Sequence, residues 1–368
     1  MSLEPFPPAP TTPMLSFSLA ERMRGFLRVA QPARAAALAM AEERGVSGEK
    51  LVTAIAAGYE VMIRSSLALE PSAARLRGWH LTGACGPFGA AAACAVLMGL
   101  DAERTAWALG LAGTQGAGLW AFNADGAMSK RLHAGKAAHS GVLAAELALA
   151  GIRGDHEVFD GPYGFYRAFF RGDYDRAILL DGLGVRYETE RISLKPWPSI
   201  RHLHTALTAV MRLIQQHALT FDTIREVLLH LGQVSIDRCR PVALGSVPEN
   251  HIDLAGNMHF AVAALIRHQG IPLALYHDTK LADEVITHAM PKVRWQYDAQ
   301  FNGRTFEPCR VEITTTDGRT LSASCDTALG HPDNPMPLDA RIAKFMDCAH
   351  AALHPLTQRS EEHTSELQ

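Results

Sequence analysis

Charge of one sign is the first thing this sequence has little of. Its 35 Lys and Arg residues nearly balance 38 Asp and Glu, for a formal net charge of −3. Such a balance leaves no broad basic footprint for nucleic acid or an anionic membrane as principal partner. Cysteine is sparse as well. The six (Cys85, Cys94, Cys239, Cys309, Cys325 and Cys348) are scattered, with no CxxC and no zinc-ribbon spacing. Reduced thiols in a cytoplasmic protein are therefore expected, not a disulfide framework. There is no HExxH, no Walker A loop and no GxGxxG after a strand. Metalloprotease, nucleotide and dinucleotide chemistry thus have no motif to rest on, and neither a metal nor a cofactor is expected. No apolar run approaches membrane-spanning length, and the N-terminus lacks the charged-then-apolar pattern of a secretion signal.

What is present is an ordinary soluble composition, 48% hydrophobic and 20% charged over 368 residues, long enough for two cores rather than one. Four prolines in the first dozen residues read as an unstructured leader. Residues 19–150 read almost wholly as helix. Ser47 opens one whose apolar stripe runs through Leu51, Ile55, Gly58, Tyr59 and Met62; an Ala-rich helix ends at Gly99; Asp101 caps the next; a further helix over 132–150 stops at Gly151. After Gly184 the pattern changes. Strands are predicted at 185–194, at 224–231 and around Val293, Trp295 and Tyr297, with helices at 205–217 and 253–268. Val311, Ile313 and Thr315, then Asp317-Gly318, then Leu321, Ala323 and Cys325 predict a hairpin with a type I′ turn. The fold class expected is mainly α with an α+β second domain. The boundaries are a large helical domain over 14–183, a smaller α+β domain over 184–335 and a helix over 336–358 returning to the first domain. Residues 359–368 break the helical pattern and read as a non-native tail.

Chemistry is expected where cations interrupt small-residue helical sequence, because a charge in close packing is costly without a partner. One such place is His80-Leu-Thr82, just before the Ala-rich helix. Another is Lys130-Arg131-Leu-His133, where His133, Lys136 and Ser140 fall on one helical face and Gly135, Ala138 and Gly141 keep the helix thin. Lys130, Arg131, His133 and Lys136 suit a ligand with several carboxylates, or alternatively make a solvated basic helix start. A third is Leu194-Lys195-Pro-Trp-Pro198 followed by Arg201-His202-Leu-His204. Lys195, Arg201 and His204 add cations to the same pocket, or else belong to a rigid proline-held connector. His202 and His204 lack an identifiable third partner for a metal.

GWHLTGACGPFGAAAACAVLMGLD, KRLHAGKAAHSG, FDGPYGF and LKPWPSIRHLH, in this order, together resemble the MmgE/PrpD family, over residues 32–353. That family includes 2-methylcitrate dehydratase, cis-aconitate decarboxylase and iminodisuccinate epimerase. The resemblance implies a homodimer with a helical and an α+β domain, and a metal-free site acting on a small polycarboxylate. Its leading implication is a dehydratase of the 2-methylcitrate type, in propionate catabolism. The alternatives are a same-fold epimerase or decarboxylase, or an inactive member that only binds or dimerises. His80, Lys130 and His133 are the implied catalytic residues; Thr82, Arg131, Lys195, Arg201 and His204 are the implied substrate contacts. Three departures from the family pattern are expected to matter. A His…Asp-x-Asp-Asp segment that lines the family's pocket has no counterpart here, a family histidine upstream of the Ala-rich helix is replaced by Arg28-Val29-Ala30, and Phe260 stands where many members have tyrosine; the C-terminus also reads as shortened.

Overall fold

A computed structural model describes residues 31–69, 74–75, 77–122, 127, 129–239, 251–276, 279–302 and 306–351. The leader, the first part of the helical stretch and the 359–368 tail lie outside the described residues.

The first region is built from helices α1 (Gln31–Arg44), α2 (Gly48–Leu67), α3 (Leu81–Met98), α4 (Ala102–Gly113) and α5 (Ser129–Leu149). Their ends follow the local chemistry. The Ser47 hydroxyl accepts from Lys50 N at 3.3 Å, and Asp101 Oδ1 accepts from Arg104 N at 2.8 Å, each satisfying an otherwise orphaned first-turn amide. Gly99 (φ 69°) and Gly151 (φ 90°) take the left-handed backbone that ends α3 and follows α5. Helix α3 is apolar on every side and buried along nearly its whole length, packed by α1, α2, α4 and α5. By length and composition it could cross a membrane, which corrects the expectation that no such run exists; here it is the axis of a helical core. Small residues make that burial geometrically feasible. A Cβ on Gly89 would lie 2.5 Å from Gly58 O, and one on Gly141 only 2.3 Å from Ala90 Cβ. Gly135 is different from expectation: it is exposed with open space beside it, so it thins nothing.

Short helix α6 (Phe165–Phe170) completes this core. Its FDGPYGF lead-in is packing sequence, with the Phe88 ring 4.6 Å from Phe159 and 5.0 Å from Phe165.

The second region carries helix α7 (His204–Gln216), strand β1 (Ile224–Leu231), helices α8 (Gln233–Cys239), α9 (His251–Gly256) and α10 (Met258–His268), then β2 (Val293–Tyr297), β3 (Cys309–Thr315) and β4 (Thr320–Cys325). The sheet order is β2-β1-β3-β4, with β1 and β2 parallel and the other neighbours antiparallel. Cys309, Val311, Ile313 and Thr315 alternate inward along β3, and α7 covers that face. Leu207, Val210, Leu229, Phe260 and Ile313 belong to a core separate from that of the helical region.

Three local expectations are corrected. Residues 185–194 form no strand. A 3-10 turn over Glu188–Arg191 sits there, Val185 is exposed, and the helical region captures the backbone: Glu60 Oε1 accepts from Thr189 N at 2.9 Å and Arg64 donates to Arg186 O at 2.8 Å. With Glu188 paired to Arg186 and Arg191, the ionic run satisfies itself locally without a sheet neighbour. The helix expected over 253–268 is broken where Asn257 Oδ1 accepts from Phe260 N at 2.9 Å and recaps the chain as α10. The β3–β4 turn has a positive φ at Gly318 (91°) but not at Asp317, so it is not type I′. Gly318 N donates to Thr315 O at 3.0 Å and Thr315 N to Arg319 O at 2.9 Å, the pattern of a type I turn closed by a left-handed glycine. Helix α11 (Leu338–His350) follows, with Leu338 and Ile342 about half exposed.

Candidate active site

His80 occupies the N-cap of α3 but makes no side-chain capping bond. Its carbonyl does the local work, accepting from Gly83 N and Ala84 N at 2.9 and 3.1 Å. The imidazole is left to turn across to α5, where His80 Nδ1 lies 2.8 Å from His133 Nδ1. A hydrogen bond between two Nδ1 atoms requires that one ring carry its proton there and the other not. With both rings neutral, the donor then has a bare Nε2 and the acceptor an Nε2–H. The neutral pair therefore carries one basic Nε2 and one Nε2–H donor.

Burial sets the charge state. His80 is pushed down to about 3 by desolvation first, with His133, Lys130 and Arg75 adding to it. His133 is also lowered by desolvation. Both rings are neutral near pH 7 in the free protein.

An aromatic wall holds the pair. Trp120 lies 5.5 Å from the His80 ring and Phe122 5.1 Å from it, and Phe122 is 5.9 Å from His133. The loop carrying Trp120 is pinned to the start of α3: His80 N donates to Gly118 O at 3.0 Å, Trp120 N to Gly78 O at 2.7 Å, and Trp79 bridges Leu119. Gly83 permits the approach, since a Cβ there would sit 2.2 Å from Ala117 O. Lys130 Nζ stands 5.2 Å from the Phe122 ring at the first turn of α5. That turn contains no acidic residue, although a helix N-terminus favours anions over cations. Arg131, next in sequence, is exposed, Thr82 is part-exposed in the first turn of α3, and Lys136 bonds Ser140 along α5.

The second region holds the other expected cations. Lys195 Nζ donates to Ser199 O at 2.9 Å, and Arg201 Nη1 to Leu329 O at 3.2 Å, with the Arg201 guanidinium 5.9 Å from the Phe306 ring and burial lowering it to about 10. His204 is fully buried (0% exposed), with Nε2 3.2 Å from Ser199 Oγ and its ring 5.7 Å from Trp197; burial, then Lys195 and Arg201, hold it well below the usual histidine range. It lies beneath the cationic surface and not on it. His202, set aside in the sequence reading, is the histidine that joins the two regions. Burial first, then Arg75, Arg238, Lys195 and Lys130, push it down to about 3. Arg75 and Arg238 were not signalled by any motif; only their convergence on Trp120, at 5.6 and 5.7 Å, reveals them. Phe260 lies in the second core, its ring 6.3 Å from Tyr276, whose hydroxyl donates to Pro198 O at 2.7 Å. Among the described residues, no three His, Cys, Asp or Glu side chains gather as a metal site would need.

Comparison with known proteins agrees with the two-part layout. Residues 29–177 match the MmgE/PrpD N-terminal domain, and residues 197–367 match the MmgE/PrpD C-terminal domain. The chain is 28% identical over 339 residues to the cis-aconitate decarboxylase of Aspergillus terreus (strain NIH 2624 / FGSC A1156), covering 86% of this chain and 68% of that protein. To the human cis-aconitate decarboxylase it is 26% identical over 310 residues (81% and 62%), and to the mouse protein of that name 24% over 308 (81% and 61%). The chain thus spans about two thirds of the length of these relatives. It belongs to the MmgE/PrpD family.

Proposed function

We propose that this MmgE/PrpD protein is a carboxy-lyase acting on a small unsaturated tricarboxylate of the cis-aconitate type. The observation that carries the reading is the His80–His133 pair, 2.8 Å apart beside Lys130 and within the field of Arg75. The relatives favour decarboxylation, the alternative from the sequence, over dehydration of 2-methylcitrate.

The chemistry follows from charge. A polyanion entering the site offsets the push of Lys130 and Arg75 on the histidines, so the pair takes up one proton and becomes imidazolium hydrogen-bonded to imidazole. In cis-aconitate the double bond is β,γ to the carboxylate of the carboxymethyl group. The imidazolium delivers its proton to the γ carbon. The electron pair of the carboxylate's C–C bond becomes the new double bond, and carbon dioxide leaves. One proton is consumed from solvent for each carbon dioxide released, and the pair returns to neutral. Lys130 and Lys195 hold a carboxylate that stays behind, and the aromatic wall of Trp120 and Phe122 keeps the proton path short and dry.

The test is to supply cis-aconitate and follow carbon dioxide release together with loss of the original alkene absorbance. Equimolar carbon dioxide and a terminal-alkene diacid are expected. Absence of carbon dioxide, with alkene appearing from 2-methylcitrate instead, would move the protein to the dehydratases.

A further inference from the structure

Trp120 is the point at which the two regions present cations to each other. The Arg75 guanidinium, from the segment before α3, is centred 5.6 Å from its ring, and the Arg238 guanidinium, from α8 of the second region, 5.7 Å from it. A π face attracts each cation modestly, while the two like charges on one ring repel. Each guanidinium is a planar fork shaped for a carboxylate.

A second observation comes from His202. It is 9% exposed, and neither ring nitrogen has a hydrogen-bond partner among the described residues. Polar atoms are rarely left so in an interior, and a buried unpaired donor calls for a partner such as an ordered water or a ligand atom. The charged groups acting on this ring come from both regions: Arg75, Arg238, Lys195 and Lys130. His80 touches the same Trp120 at 5.5 Å between ring centroids, so this cluster begins one aromatic ring away from the proton-transfer pair.

We propose that Arg75, Arg238 and His202 form a distal carboxylate subsite over Trp120, which selects three-carboxylate ligands over two-carboxylate ones. The proposal rests on the polycarboxylate reading of the site. The guanidiniums grip one carboxylate that the reaction leaves in place, and His202 donates an N–H to it. Because Arg238 belongs to the second region and Arg75 to the first, a bound tricarboxylate also ties the two together, whereas a dicarboxylate leaves the subsite empty.

Calorimetric binding of two unreactive probes, propane-1,2,3-tricarboxylate and glutarate, tests this on the full chain. For Arg238→Gln the tricarboxylate affinity is expected to fall about 10- to 100-fold, as for loss of a charge-assisted hydrogen bond, with glutarate changed less than about 2-fold. Arg238→Lys should recover part of the loss. His202→Gln should show a smaller selective loss, and it carries the test if Arg238→Gln does not fold. Equal losses for both probes, no loss for either, or no tricarboxylate binding by the unsubstituted chain overturns the subsite. Turnover separates this from the reaction. Unchanged KM for cis-aconitate in Arg238→Gln removes the subsite and leaves the decarboxylase. Selective binding with no carbon dioxide release keeps the subsite and removes the decarboxylase.

Discussion

Two pairs of histidines in this molecule invert what their positions in the chain suggest. His202 and His204 are two residues apart, yet one joins the cations around Trp120 while the other is sealed against Ser199 and Trp197. His80 and His133 are 53 residues apart, on different helices, and share a hydrogen bond. Proximity in sequence brought neither chemistry nor contact to the first pair. The second was made by helix packing, with α3 and α5 pressed together at Ala90 and Gly141. Burial lowers the pKa of all four rings. What distinguishes them is partners: His80 and His133 have each other, at 2.8 Å, while His204 has the Ser199 hydroxyl, at 3.2 Å.

If the His80–His133 contact is the reactive unit, the largest effect belongs to it. His133→Asn and His80→Asn are each expected to reduce kcat by about 10²- to 10⁴-fold, the range of a lost acid–base group, with secondary structure unchanged by circular dichroism. A loss under tenfold in both would make the pair structural.

The next effect is on stability against pH. His80 and His202 both lie near 3 in the folded protein against an ordinary value of 6.5. The unfolded chain therefore binds more protons below pH 6.5, and stability falls as pH falls through the window from 6.5 towards 3. Between about pH 6.5 and pH 5 each ring costs about 2 kcal/mol, which urea unfolding at the two values would measure. His202→Gln should flatten that slope by its own share, and an unchanged slope would mean the ring is hydrated in solution.

The smallest effect separates neighbours within one motif. Arg131 is exposed beside Lys130, so Arg131→Gln should change kcat/KM by less than about 2-fold, whereas Lys130→Gln should cost at least ten times more. Equal losses would put Arg131 in the pocket after all.

The sequence was most legible where local rules decide the outcome. Ser47, Gly99, Asp101 and Gly151 mark helix ends from their own chemistry, and the inward alternation of β3 follows from its pattern. It was least legible where distant groups decide. Residues 185–194 lost their strand to Glu60 and Arg64, more than a hundred positions away. Of the site, His80, Lys130 and His133 stood out because cations among small residues need a reason. Arg75 and Arg238 stood in unremarkable surroundings, and nothing but the fold brings them to one tryptophan.

Whether His80 and His133 act as one unit is read from kcat for cis-aconitate in the His80→Asn/His133→Asn double variant. Residues that share a single proton-transfer role are non-additive. The double variant is therefore expected to be no slower than the slower single variant, within about 3-fold. A double variant slowed by the product of the two single losses would contradict it, and would show two histidines doing separate work.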